Sequence, residues 1–491
     1  MINKETTIRQ GWNLENTYIN LPQKFYSKVE ASVVSEPKLI ILNNLLAKEL
    51  GLSAHDLQEK EGIEILSGNS FPEGSNPIAQ AYSGHQFGHF TSLGDGRALL
   101  IGEQRNTDNL LLDIQLKGSG PTPYSRGGDG RATLGPMLRE YIISEAMHSL
   151  GIPTTRSLSV ISTEDRVYRE KALKGAVLCR VAKSHIRVGT FEFASKFASQ
   201  EDLRALADYT INRHYPECMD KENPYLEFLE RVIENQAYLV SKWMLVGFIH
   251  GVMNTDNMTI GGETIDYGPC AFMDTYKAKT VFSSIDKEGR YAYGNQPNIA
   301  GWNLAVFAET LLPLLNENKE QAIQMAREAL GQFNIFYLKE WFSGMKRKLG
   351  FLEEDGQDKL IIMELLELLE RHKVDFTYFF TLLTIGKSGD LDFLDAREYK
   401  VWYVKWENRI SRQEGGRDSG RELMERSNPY IIPRNQAVER VLKKAVDDED
   451  YIPLYELIEK LSKPFEYSKI GQERLTPPET SGNHYKTYCG T

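Results

Sequence analysis

Residues 246–274, VGFIHGVMNTDNMTIGGETIDYGPCAFMD, constrain this chain more than any other stretch. They follow a run of apolar residues at helical spacing (225–248) and then gather acids, amides and turn formers into one loop. His250, Asp256, Asn257 and Asp266 supply an imidazole, two carboxylates and an amide oxygen, a donor set suited to a hard divalent cation that handles phosphates. Magnesium with a nucleotide is the first expectation.

The loop is close to the protein-kinase pattern, in which His-x-Asp and an Asn five residues after that Asp precede Asp-Phe-Gly. Five residues before Asn257 stands Val252, so the place of the kinase base holds an apolar side chain that cannot accept a proton. Asp256 is the nearest replacement, and Asp266-Tyr267-Gly268 stands where the metal-binding Asp-Phe-Gly would be. These residues leave two alternatives open: a kinase that has lost its base, or a site whose chemistry has moved.

The rest of the chain supplies matching parts in order. A strand pattern over 110–116 delivers Lys117, and Glu140 follows 23 residues later near the start of a helical pattern over 137–150. A kinase uses such a pair to hold a cation against nucleotide phosphates. Gly94-Asp95-Gly96-Arg97 and Gly127-Gly128-Asp129-Gly130-Arg131 fit loops that bring backbone close to an anion, and Arg180 and Arg187 bracket CRVAKSHIR with two guanidiniums able to clamp phosphates. Taken singly, each has a plain structural alternative: a β-turn, a solvated basic strand, a chance ion pair. Their order carries the weight. The two histidines of YSGHQFGHF (82–90) tempt a metal reading, which is rejected because no third ligand is near.

With 491 residues, 41% of them hydrophobic, the chain is long enough for two lobes with sizeable cores. Strand patterns at 98–102, 110–116, 157–161 and 175–181 and a helix over 37–52 build the first part. From about residue 192 the pattern turns helical: 201–211, 225–248, 302–315, 319–349, 359–383 and 434–446. The expected fold is therefore α+β: a mixed N-lobe over 1–190, a helical C-lobe over 191–440 and a C-terminal tail over 441–491. A net charge of −10 speaks against a nucleic-acid partner, and the absence of eighteen consecutive apolar residues speaks against a membrane partner. A cytoplasmic monomer is the default expectation. Cys179, Cys218, Cys270 and Cys489 are too few for a disulfide scaffold and show no zinc spacing.

Together AQAYSGHQFGHF, LGDGRA, LKGSGPTPYSRGGDGRA, LREYI, CRVAKSHIRVGTFE, HGVMNTDNM and DYGPCAFMD resemble the selenoprotein O family of kinase-like proteins, in its bacterial, cysteine-containing form. The resemblance covers nearly the whole chain, including NQPNIAGWNL and NPYIIPRN. It implies a two-lobed kinase-like fold and protein adenylylation: AMP passes from ATP to Ser, Thr or Tyr hydroxyls of target proteins, with UMP from UTP as a broader variant. The nucleotide lies flipped relative to a kinase, so the α-phosphate faces the acceptor and pyrophosphate leaves. By motif position Asp256 is the base, Asn257 and Asp266 hold magnesium or manganese, and Lys117, Arg180 and Arg187 bind the phosphate tail. Gly94, Gly96, Arg97, Asp129 and Gly130 match the remaining nucleotide contacts, and Glu140 matches the partner of the lysine. Some members pair a metal-loop cysteine with a C-terminal one, which makes Cys270 and Cys489 a candidate redox pair. An ordinary kinase or an inactive nucleotide-binding scaffold is the alternative.

Overall fold

A computed structural model describes residues 11–30, 32–388, 396–470 and 485–487. Its first part is built on an antiparallel sheet whose central strands run Tyr26–Lys28, Ile78–Gln80, Ala98–Arg105, Leu111–Lys117, Ala172–Ala182, Arg156–Tyr168 and Lys38–Leu42 across the sheet. Side chains alternate between the faces of a strand. Val177, Cys179 and Val181 accordingly enter one core with Ile114 and Leu116, under the short helices Asn44–Glu49, Ala54–Gln58 and Lys60–Ser67. Ala176 and Leu178 point the other way, toward the helix Leu134–Ser149. Lys117, Gln115 and Arg180 share this second face by the same parity. The register sets Arg180 opposite Gln115 and Leu178 opposite Lys117.

The helix expected over 37–52 is instead a strand, Lys38–Leu42, followed by the helix Asn44–Glu49. Asn43 divides them: its side chain accepts from the Leu46 amide as an N-cap, while the branched Ile40 and Ile41 favour the ladder with Arg156–Tyr168. Two long expected helices are also divided. The 319–349 pattern is Lys319–Gly331 and Phe333–Lys348, and the 359–383 pattern is Asp358–Arg371 and Phe376–Thr384, the latter begun by an Asp375 N-cap. Three further helices lie outside the expected patterns: Ala396–Ile410, Gly416–Ser427 and Ile452–Leu461.

Helices dominate from Val188 onward. The longest, Pro224–Val246, starts at an Asn223 cap and stops at Gly247, whose φ of +74° is the left-handed conformation that ends helices cheaply only in glycine. Phe248–Ile249 then pairs antiparallel with Ala271–Phe272. This two-rung ladder closes the loop that carries His250, Asp256, Asn257, Asp266 and Cys270.

Candidate active site

The sheet face and the closed loop meet at Asp266. Its Oδ1 accepts from Lys117 Nζ at 2.9 Å and from Arg180 Nη1 at 2.7 Å, and its Oδ2 accepts from Arg187 Nη1 at 3.0 Å. Glu140, buried in the helix Leu134–Ser149, accepts from Lys117 Nζ at 2.7 Å and from Arg180 Nη1 at 3.2 Å. Gln115 Oε1 takes Arg180 Nε and Nη2 at 3.1 and 2.6 Å. Burial opposes the charge of Asp266, but the adjacent Lys117, Arg180 and Arg187 outweigh it and hold the carboxyl well below the usual carboxylate range. Asp266 also has a φ of +62°, a conformation that costs a non-glycine residue about 1 kcal/mol. Packing and the ion pairs impose it.

Asp256 meets the same nitrogen of Arg187, Nη1, through its backbone. That guanidinium donates to the Asp256 carbonyl at 2.9 Å, sits 4.5 Å from the Tyr82 ring centroid and comes within 3.9 Å of Asp95. The Asp256 carboxylate is buried, and its Oδ1 has no hydrogen-bond partner. Burial pushes its pKa up to about 6, with Arg187 pulling it back. A Cβ built on Gly84 would overlap Asp256 Oδ1, so the backbone of 83–86 reaches this carboxylate only because residue 84 is glycine.

Asn257 donates its amide to the Val252 carbonyl at 3.1 Å, which leaves the amide oxygen as its free end. The residue at the kinase-base position thus still orients the asparagine, through its backbone. His250, which the sequence offered as a metal donor, is a brace instead. Fully buried, its Nε2 donates at 2.9 Å to the carbonyl of Ile265, the residue before Asp266, and burial lowers its pKa.

The structure therefore gathers Lys117, Glu140, Arg180, Arg187 and Asp266 in direct contact, with Asp256 and Asn257 adjoining. Of the glycine loops, 94–97 touches that cluster through Asp95, which accepts from Gln115 Nε2 at 3.3 Å. Gly94 and Gly96 pack closely on Tyr124, and Arg97 is half-buried without an ion pair among the described residues. Asp129 is exposed and pairs with Arg169 at 2.7 Å, while Gly130, φ +62°, lies against the Gly120 backbone. Cys270 is buried, and burial pushes its thiol up to about 11. Cys489 lies outside the described residues. Gln115 belongs to the site without having been singled out by the sequence, while Asp95, Tyr82 and Gly84 entered there only inside the 94–97 loop and the rejected histidine motif. Strand parity from Lys117 was the one available signal for Gln115.

Among the described residues no three His, Cys, Asp or Glu side chains converge. What the loop offers is oxygen: the Asp266 carboxylate and the Asn257 amide oxygen. That set fits a hard cation that keeps waters and phosphate oxygens in its shell.

The comparisons agree with the geometry. The family model described as "Protein adenylyltransferase SelO" matches residues 9–462. A relative from Clostridium botulinum (strain Eklund 17B / Type B) named "Protein nucleotidyltransferase YdiU" is 55% identical over 491 residues, covering 100% of both chains. Proteins of the same name from Brevibacillus brevis (56% over 491 residues, 100% of both) and Bacillus cytotoxicus (56% over 481 residues, 98% of both) are equally similar. With the family model spanning most of its length and relatives matching it end to end, the chain belongs to the SelO family of protein adenylyltransferases.

Proposed function

We propose that this protein transfers AMP from ATP to Ser, Thr or Tyr hydroxyls of other proteins and releases pyrophosphate, within a kinase-like arrangement of a 1–190 lobe, a 191–440 lobe and a 441–491 tail. The observation that carries this reading is the pair of aspartates that share Arg187 Nη1: Asp266 through a carboxylate saturated by cations, Asp256 through its carbonyl, with its carboxylate buried and Oδ1 unpaired. Family membership and the relatives' printed names support the same chemistry.

The acceptor hydroxyl gives its proton to the Asp256 carboxylate. A pKa near 6 keeps that group ionised at neutral pH yet more basic than an ordinary aspartate. The acceptor oxygen bonds to the α-phosphorus while the bond from that phosphorus to the oxygen bridging to the β-phosphate breaks, and the electron pair leaves with pyrophosphate. Lys117, Arg180 and Arg187 exchange the Asp266 carboxylate for phosphate oxygens and neutralise the charge on the departing group. Glu140 and Gln115 keep Lys117 and Arg180 aimed during that exchange. Asn257 and Asp266 are the residues that would hold magnesium or manganese, which when bound supplies further charge neutralisation at the phosphates.

ATP labelled at the α- or at the γ-phosphate tests the reading. Label entering protein from the α position alone is expected; label from the γ position alone would overturn it in favour of a kinase.

The tail supports redox control of this same site. Thr487 Oγ1 donates to the Pro269 carbonyl at 2.6 Å, and the Thr487 amide donates to the Phe282 carbonyl at 2.8 Å. Position 489 is two residues further along, about 7 Å of chain at most, and Cys270 adjoins Pro269. A Cys270–Cys489 disulfide would tie the tail across the metal loop. Non-reducing mass measurement under graded oxidant should find it; free thiols at both positions throughout would exclude it.

A further inference from the structure

Beyond Tyr82 and Gly84, the YSGHQFGHF motif has no role in the transfer chemistry above, yet it roofs Asp256. Ser83–Gln86 and His89–Ser92 form a hairpin that turns at Phe87 (φ +51°) and Gly88 (φ +87°). Its inner edge lies on the catalytic loop: the His85 amide donates to Thr255 Oγ1 at 2.7 Å, and the Phe87 amide to Asn254 Oδ1 at 3.1 Å. Its outer side is aromatic and open. Phe90 is 39% exposed and Phe197 50%, with ring centroids 6.3 Å apart, and the His85 ring stands edge-on to Trp302 at 5.3 Å. Glu192 pairs with the His85 Nδ1 from the buried side.

A cation sits at the rim of this surface. The Arg290 guanidinium lies 4.8 Å from the Trp302 ring centroid and 5.8 Å from that of Tyr291, and a Cβ built on Gly88 would come 3.9 Å from its Cζ. Tyr291 donates in turn to Asn254 Oδ1 at 2.6 Å, which ties Arg290 to the Asp256 loop. Among the described residues no carboxylate pairs with Arg290, and its buried Nε has no partner. Asp286, the near acid, spends its oxygens on the backbone amides of Arg290 and Tyr291. Lys277, Lys279 and Lys287 are exposed on the same segment against one exposed acid, Glu288, and Lys196 lies 5.9 Å from the Phe90 ring centroid. Glu309, exposed on the helix Gln296–Leu315, is the other carboxylate whose charge reaches this area. In a chain of net charge −10, this is a local reversal of sign.

We propose that this face docks the protein to be modified, as an extended acidic segment. Its carboxylates meet Arg290 and the neighbouring lysines, an aromatic or aliphatic side chain lies against Phe90 and Trp302, and the hydroxyl between them reaches Asp256. The docking rests on the transfer reading above for its purpose. It rests on charge complementarity and on contact with the catalytic loop for its place.

The full-length protein is titrated, by fluorescence anisotropy, into short labelled peptides with a central tyrosine or serine flanked by glutamates or by lysines. The glutamate-flanked peptides are expected to bind about tenfold more tightly. Arg290→Gln erases most of that preference and Arg290→Glu inverts it, with unchanged ATP binding and thermal unfolding showing that both variants fold. Indifference of the unaltered protein to flanking charge would overturn the proposal, as would a preference that survives Arg290→Glu, or equal binding of an oligonucleotide of matched charge. Incorporation of α-label into the same peptides separates the two readings. The expected preference without transfer removes the chemistry and leaves the docking face, while transfer without preference removes the docking face and leaves the chemistry. In kinetic form, Arg290→Gln is expected to raise KM for the acidic peptide about tenfold and leave kcat and the KM for ATP in place.

Discussion

Asp256 and Asp266 are ten positions apart in one loop, both sit behind the same arginine, and their surroundings treat them in opposite ways. Around Asp266 three cations converge and both oxygens are taken, so the charged form is favoured despite burial. Around Asp256 the same burial meets little compensation: one oxygen lies under the backbone of Gly84 with no donor, and the carboxyl moves up to about 6. The difference assigns roles to two identical side chains. One is an electrostatic anchor held in its charged form; the other has the raised pKa expected of the base proposed above.

The hardest blow to that division is Asp266→Ala. It leaves Lys117, Arg180 and Arg187 buried around an empty position, so α-label transfer should drop at least about a thousandfold. Stability should fall by about 3–5 kcal/mol, read as a lowered melting temperature. Wild-type transfer in this variant would end the anchor assignment. Asp256→Asn should cost about a hundred- to ten-thousandfold in transfer and leave melting unchanged or raised, because a poorly compensated buried charge has gone; a large loss of stability would show that Asp256 is a second anchor. Gly84→Ala comes third. Its methyl group displaces the Asp256 carboxylate, so transfer should fall about ten- to a hundredfold while ATP binding, which depends on the Asp266 side, holds.

The smallest effect concerns a third acid of the loop. Glu263 is buried with its Oε2 accepting the Lys183 amide, and burial pushes it up to about 7 against the pull of Lys183. A carboxyl whose folded pKa lies above its unfolded value binds protons more tightly in the native state. Stability therefore falls as pH rises from about 4.5 to 7, and the cost is fully present above 7. Glu263→Gln keeps an oxygen for Lys183, so the variant should melt higher than wild type above pH 7, by about 1–3 kcal/mol, and match it near pH 4.5. Equal melting curves at all pH values would show that Glu263 is compensated like Asp266.

The sequence disclosed these regions unequally. Lys117, Glu140, Arg180, Arg187 and Asp266 were legible because strand parity, helix position and motif order each constrain them locally. The hairpin over Asp256 was not. Its two histidines drew attention as metal ligands, and nothing local announces that residues 83–86 lie on a loop 170 residues away in sequence, where the His85 amide meets Thr255. The misread element at 37–52 fails for a related reason: KLIIL suits a helix or a strand equally, and the ladder with Arg156–Tyr168 decides. The breaks within the long helical patterns follow the same rule, since apolar spacing continues through a turn when both helices bury the same side.

The cage around Asp266 also bears on how the protein would respond to salt. Arg180 and Arg187 are each 2% exposed and Lys117 6%, so dissolved ions scarcely reach them while Asp266 is their partner. An internal anion of this sort is a rehearsal for phosphate. The cations were stripped of water when the chain folded, so a nucleotide bound as proposed would replace one counterion with another instead of dehydrating free ammonium and guanidinium groups. Nucleotide affinity should then depend only shallowly on ionic strength, in contrast to the exposed lysines along 277–287, whose attraction for an acidic partner fades as the Debye length shortens.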